Sequence, residues 1–257
     1  MTDQIPVTIS TENQVMTIAW NRPEKKNALT QLMYATAADA IKAAAEDDAV
    51  RAVLITGTQE CFTAGNDLGD FLNNPASGEE APVSQFLLAI STLEKPIVAA
   101  VNGPAVGIGT TMLLHCDMVV AADTTVFCMP FSNLGLCPEA ASSFLLPRLA
   151  GHQRAAELLL LGENFDAQQA KECGIINYIA AADSYLALAN DLVNKLASKP
   201  PTSIRMTKQF LKQGQDALVQ ERMRTEGEAF AQLLRGPEAR EAMTAFMERR
   251  EPDFSKF

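Results

Sequence analysis

The period of apolar positions changes several times along this chain. Val7 and Ile9, then Val15, Thr17 and Ala19, alternate around the polar pair Glu12-Asn13, which predicts a hairpin over residues 8–20. Asn21-Arg22-Pro23 breaks it. Leu32, Ala37, Ala40, Ile41 and Ala44 recur at helical spacing over 30–47, with Thr30 placed to cap that helix. The apolar run 52–55 reads as a buried strand. Residues 75–82, rich in Pro, Ser, Gly and Glu, have the composition of a flap. A helix to Leu93 and a strand over 97–101 follow. After Asn102-Gly103-Pro104 the chain passes through Gly107-Ile108-Gly109 into an apolar helix ending at His115. Residues 118–122 read as another buried strand and 127–136 as irregular. Pro138 suits the first position of a helix that Pro147 limits. Short helices over 155–161 and 167–173 and a strand over 175–179 complete the body.

Strands alternating with helices predict an α/β fold, and no repeat of fixed period is present. The chain changes character after Pro200-Pro201. Three helices are expected over about 203–213, 216–235 and 237–250, with Thr202 and Ser203 as caps, Gly214 and Gly236 as stops and Pro237 as a start. Phe210, Phe230, Leu233, Leu234, Met243, Phe246 and Met247 give them apolar stripes. The division is therefore a core over 1–200 and a helical region over 201–257.

The 257 residues are 47% hydrophobic, enough for a substantial core. With 21 Lys and Arg against 31 Asp and Glu the net charge is −10, which argues against a nucleic-acid partner. The imbalance is local: residues 1–198 hold 10 basic and 22 acidic side chains, and 199–257 hold 11 and 9. An anionic ligand must therefore find its own Lys or Arg. Five cysteines with no C-x-x-C pair read as buried free thiols in a reducing compartment. His115 and His152 are not at metal-ligand spacing. No apolar run approaches the ~20 residues of a membrane span, and no secretory leader is evident. The terminal Ser-Lys-Phe resembles a peroxisomal address but ends in the wrong residue. The expected location is the cytoplasm.

Several catalytic motifs fail. Met112 stands where a dinucleotide loop needs its third glycine, and there is neither a P-loop nor a G-x-S-x-G nucleophile elbow. Two loops remain, residues 61–68 and 102–109, each leading from an apolar strand into a helix. Their small residues let peptide N–H groups approach a ligand closely, and two such groups converging would bind a developing oxyanion. The same spacing suits an ordinary strand-to-helix turn, so spacing alone leaves both open.

Six segments in order say more: Asn21-Arg-Pro-Glu-Lys-Lys-Asn-Ala-Leu29, Cys61-Phe-Thr-Ala-Gly-Asn-Asp-Leu68, Lys95-Pro-Ile-Val-Ala-Ala-Val-Asn-Gly-Pro-Ala-Val-Gly-Ile-Gly109, Cys116-Asp117, Asn133-Leu-Gly135 and Ala170-Lys-Glu-Cys-Gly174. Together they resemble the enoyl-CoA hydratase/isomerase, or crotonase, family over nearly the whole chain. The resemblance implies a spiral of ββα units and a C-terminal helical region that builds a homotrimer or a dimer of trimers. It implies an acyl-CoA thioester as substrate, with no metal and no separate cofactor. The thioester oxygen would lie between the peptide N–H groups of Asn66 and Ile108. Ala64, Gly65, Asp67, Leu68, Gly107 and Phe131 would contact the substrate, and Lys25 and Lys26 its phosphates.

Family hydratases carry two glutamates. Here Thr111 and Phe131 hold those positions, and neither can activate water or protonate carbon at neutral pH. A different carboxylate stands close by. Pro130 to Glu139 is similar to the Pro-Phe-Ser-x-Leu-Gly-x-x-Pro-Glu pattern of the Δ3,Δ2-enoyl-CoA isomerase branch, which implies that Glu139 shuttles the proton. Burial beside Phe131, Leu136 and Phe144 would raise its pKa, a helix N-terminus would lower it, and the sequence leaves the outcome open. His115, on an apolar helix, reads as a core residue. The alternatives are another reaction at the same site (hydration, hydrolysis or C–C cleavage) and an acyl-CoA-binding protein without turnover.

Overall fold

A computed structural model describes residues 5–73 and 78–257. The strands are β1 (Val7–Glu12), β2 (Val15–Trp20), β3 (Ala52–Thr56), β4 (Ile97–Val101), β5 (Pro104–Val106), β6 (Met118–Ala122), β7 (Val126–Cys128), β8 (Asn164–Asp166) and β9 (Tyr178–Ala180). The α-helices are α1 (Gln31–Glu46), α2 (Leu68–Asn73), α3 (Pro82–Thr92), α4 (Ile108–Thr111), α5 (Ser142–Ala150), α6 (His152–Ala156), α7 (Ala167–Glu172), α8 (Tyr185–Ala197), α9 (Pro201–Lys212), α10 (Asp216–Leu234) and α11 (Pro237–Glu248). Residues 75–77 of the expected flap lie outside the described residues.

Six strands form one sheet in the order β1-β2-β3-β4-β6-β9, parallel except for the β1–β2 hairpin. Its two faces divide by the strand period of two. Val15, Ala52, Leu54, Val98, Ala100 and Val120 pack under α8. Met16, Ile18, Val53, Ile55, Ala99 and Val119 face the main core with α1 and α3. Covering both faces is what makes β3 and β4 continuous apolar runs. A second, smaller sheet, β5-β7-β8, stands beside it. Two isolated parallel bridges, Thr63 with Ala105 and Leu29 with Asn66, extend this small sheet into the loops that carry the sequence motifs.

The expected elements hold with some corrections. The hairpin turns at Asn13-Gln14, whose φ values of 50° and 66° make a two-residue turn suited to the strand twist, one residue later than expected. Ile9 is 44% exposed and Leu32 64% exposed, so neither is core. The buried face of α1 is Met33, Tyr34, Ala37, Ala38 and Ile41, turned away from Leu32. Residues 127–136 contain β7 and a 3-10 turn rather than irregular chain. No helix begins at Pro138; α5 starts at Ser142 and contains Pro147. The strand expected over 175–179 is β9, displaced toward the C-terminus, and α9 starts at Pro201, so Thr202 and Ser203 lie inside it.

The C-terminal helices pack on the body. Lys208 of α9 is buried and donates to Lys95 O and Asp117 Oδ2, both at 2.7 Å, while Asp117 Oδ2 also accepts from Ile97 N at 2.7 Å. The Asp of the Cys116-Asp117 motif thus ties α9 to the start of β4. All five cysteines are free thiols. Among the described residues no helix is long and apolar enough to cross a membrane and no side-chain cluster could hold a metal ion. Thr30 caps α1 by accepting from Met33 N at 3.3 Å. Thr30→Ala is expected to cost ~1 kcal/mol and Thr30→Ser much less, read as the shift in urea unfolding midpoint.

Candidate active site

Two strand-like segments set the first part of the site. Thr63 N donates to Pro104 O at 3.0 Å and Val106 N to Thr63 O at 3.0 Å, so the chain after Cys61 runs parallel to β5. The offset that pairs Thr63 with Ala105, continued, sets Asn66 opposite Ile108. Gly65 makes this approach possible. Its φ is +93°, and a Cβ there would lie 2.9 Å from Val106 O. Gly107, at φ 57° and ψ −118°, turns the other segment into α4, in a region that side chains other than glycine's rarely adopt. Among the described residues the peptide N–H groups of Asn66 and Ile108 have no hydrogen-bond acceptor, while those of their neighbours Ala64, Asp67 and Gly107 do.

Neighbouring side chains hold these loops. Arg22 Nη1 donates to Asp67 Oδ2 at 2.6 Å and to Ala28 O at 3.0 Å. Burial raises the Asp67 carboxyl, but Arg22 and the Asp70 peptide outweigh it and hold its pKa below the ordinary value. Asp67 therefore locks its own loop to the loop of Arg22. Tyr34, fully buried on α1, donates to Asn66 Oδ1 at 2.5 Å. Ala64 is half-buried and Leu68 opens α2. Lys25 and Lys26 are exposed on the loop whose carbonyl, Lys26 O, accepts from Ala64 N at 2.9 Å, and they form no ion pair among the described residues.

Glu139 lies in the chain entering α5 and is 9% exposed. Thr111 Oγ1, from the end of α4, donates to its Oε1. Burial is the largest influence on this carboxyl and pushes its pKa up to about 8; the Thr111 hydrogen bond pulls down and the Glu226 charge pushes up. The contest that the sequence left open goes to burial. The two residues after Glu139 are Ala140 and Ala141, both left-handed, with φ of 59° and 55°. His115 Nε2 donates to Ala140 O at 2.8 Å. Burial drives that imidazole down to about 4, so it stays neutral. Phe131 is buried against Phe230 of α10, ring centroids 6.5 Å apart, and Phe230 also meets Phe71 of α2 at 5.9 Å.

A family profile described as enoyl-CoA hydratase/isomerase matches residues 10–256. The chain belongs to the enoyl-CoA hydratase/isomerase family. It is 35% identical over 251 residues to the 1,2-epoxyphenylacetyl-CoA isomerase of Escherichia coli K12, covering 95% of this chain and 96% of that protein. It is also 35% identical to enoyl-CoA delta isomerase 2 of Rattus norvegicus over 215 residues, 81% of this chain and 55% of the rat protein. A crystal structure of an enoyl-CoA hydratase/isomerase from Pseudoalteromonas atlantica T6c superposes with a TM-score of 0.93 at 43% identity, covering 98% of this chain and 100% of that one. The two-sheet core with its C-terminal helices is accordingly the crotonase fold.

Tyr34, His115, Glu226 and Phe230 surround the site, and no sequence motif singles them out as functional. Tyr34 shares a helix face with Met33, Ala37 and Ile41, where a tyrosine hydroxyl needs a partner. Glu226 falls on the α10 stripe of Val219, Met223 and Phe230, a carboxylate at an apolar position. The raised pKa of Glu139 has a consequence for stability. A carboxyl whose folded-state pKa exceeds its unfolded value favours folding at acid pH, and that advantage is lost as pH rises through the folded value. Glu139→Gln, which keeps an acceptor for Thr111, is expected to match the parent at pH 4 and exceed it above pH 8. The excess is on the order of a few kcal/mol, read from melting or urea midpoints across pH.

Proposed function

We propose that this chain is an enoyl-CoA isomerase that moves a 3-enoyl-CoA double bond to the 2-position, with Glu139 as both base and acid. The observation that supports it is the hydrogen bond from Thr111 to Glu139. Thr111 replaces one hydratase glutamate and Phe131 the other. The hydroxyl at the first position instead orients a carboxylate supplied from the other side of the pocket.

The chemistry suits one buried carboxylate. Glu139 removes a proton from C2, beside the thioester carbonyl. The negative charge spreads over a dienolate, and the same group, now protonated, returns the proton at C4. No water takes part, and burial keeps it away from the intermediate. A carboxyl near pKa 8 is a better base than an ordinary carboxylate near 4.3, yet still weak for a carbon acid. The two N–H groups of Asn66 and Ile108 therefore take the developing enolate oxygen, where one donor typically contributes ~3 kcal/mol. Tyr34 fixes the Asn66 side chain, and Gly65 and Gly107 shape the loops.

Lys25 and Lys26, exposed and outside any ion pair among the described residues, would meet the phosphates of coenzyme A. Phe246 and Met247 of α11, 67% and 68% exposed, and the exposed Phe210 and Leu211 of α9 give the C-terminal helices an apolar surface suited to a trimer. Five free thiols suit the cytoplasm.

With a 3-enoyl-CoA, the enzyme should produce the conjugated thioester, followed by ultraviolet absorbance. Glu139→Gln should lower kcat by roughly 10³-fold while acyl-CoA binding survives; retained turnover sinks the role given to Glu139. Addition of water to a 2-enoyl-CoA would instead restore the hydratase reading, and binding without turnover the binding one. Because the base must be ionised, kcat/KM of the parent enzyme should rise with pH through about 8 and fall away below it.

A further inference from the structure

The C-terminal region reaches the site through polar contacts of α10. Glu226 of α10 is buried, and its Oε1 accepts from Ser143 N at 3.0 Å and from Ser143 Oγ at 2.5 Å. Ser143 lies in the first turn of α5, four residues beyond Glu139. Between them come Ala140 and Ala141, both in the left-handed region. An alanine there is strained, and two in succession persist only where the surroundings over-determine the backbone. The restraints can be named. Ser142 N and Oγ donate to Glu139 O at 3.0 and 2.6 Å, His115 holds Ala140 O, and Glu226 holds Ser143.

We propose that Glu226 is a positioning residue for the reaction: by fixing Ser143 it holds the left-handed Ala140-Ala141 turn that presents Glu139 to the substrate. This rests on the isomerase reading above for the role of Glu139. Simple capping of α5 does not require a buried glutamate, since a serine or aspartate beside the helix would serve. Glu226 leaves its Oε2 buried and unpartnered, a costly state for a charged group. Burial raises the Glu226 carboxyl as well, and in its ionised form it pushes the pKa of Glu139 up. The titratable groups facing Glu139 are Glu226, Tyr34 and Cys137, and His115 lies behind Ala140. Facing Glu226 are Cys137 and Arg222, whose Nη1 donates to Ser143 Oγ at 3.2 Å.

The test uses the full chain with Glu226→Gln and Glu226→Ala. Steady-state isomerisation is followed with a 3-enoyl-CoA, and the Glu139 carboxyl is titrated by carbon-13 NMR in free enzyme, assigned with Glu139→Gln. Removing the acceptor in Glu226→Ala should lower kcat by roughly 10²-fold with KM little changed. Glu226→Gln still accepts from Ser143 and should recover most of kcat, while the Glu139 midpoint moves below the parent's. A cap that merely supports the fold would change melting temperature and leave kcat of the folded Glu226→Ala variant in place. Unchanged kcat in Glu226→Ala, or a Glu226→Gln variant no more active than Glu226→Ala, overturns the proposal. If Glu226→Ala does not fold, Glu226→Asp, whose shorter side chain withdraws the acceptor from Ser143, decides in its place by the same loss of kcat. If the parent shows no isomerisation, the isomerase reading fails, and the NMR midpoint still decides whether Glu226 acts on Glu139.

Discussion

Burying Glu139 strips water from its carboxyl, and much of the surrounding structure follows from that. A carboxyl in this position stays neutral up to about pH 8 and needs a hydrogen-bond partner in either charge state. Thr111 supplies it from α4. The chain must then enter the pocket, leave the carboxyl inside, and turn into α5 within three residues. That turn uses two left-handed alanines, and its groups are satisfied by His115 and by Glu226 from α10. The C-terminal helices are thus coupled to the pocket by hydrogen bonds between α10 and the α5 entry and by the contact of Phe230 with Phe131.

The opposite wall obeys a different constraint. Two peptide N–H groups can face a ligand only if their own strands leave them unpaired. In a continuous sheet they would be bonded. Here the parallel contact between Thr63 and Ala105 stops after a single bridge, and glycines at 65 and 107 turn the two chains before the ladder resumes. Arg22 and Asp67 keep the first loop closed over this opening. In the proposed reaction, donors held in place before substrate arrives would need no reorganisation, which is where most of the value of such a site lies.

Much of this is legible from residues alone. The strands over 52–55, 97–101 and 118–122 and the cap at Thr30 follow from apolar runs and one side-chain oxygen, signals that depend only on neighbours in sequence. β5, β7 and β8 leave no such signal, because each is three residues long and is stabilised by a partner distant in sequence. Pro138 has the right chemistry for a helix start, yet α5 begins later, and nothing about Ala140 or Ala141 announces the left-handed backbone that delays it. Ile9 and Leu32 fit the core by period alone; Ile9 lies on the face of Val7 in β1, of which Val7 alone is buried, and Leu32 lies one residue before the buried Met33. The motif residues stand out because glycine, asparagine and glutamate in a fixed order rarely recur by chance or serve packing alone. Glu226 does not stand out, since one acid among many in an acidic chain carries a signal only when α10's apolar face is drawn.

The identity of the residue at 111 shows how one scaffold can change reaction. With a glutamate there, a water could be activated against the β-carbon of a substrate held between Asn66 and Ile108. With threonine there, the position can only donate or accept a hydrogen bond. In the proposed isomerase the proton-transferring group would come instead from residue 139, on a different element. The enolate oxygen would still fall on the same two N–H groups, so the most demanding part of the chemistry is left untouched. What would change is which carbon the carboxylate faces, and in the proposed isomerase that would depend on the backbone between Glu139 and Ser143. Ser143 is held by Glu226 from α10, so in the proposed isomerase the presentation of Glu139 would depend on a helix whose sequence looks like packing alone.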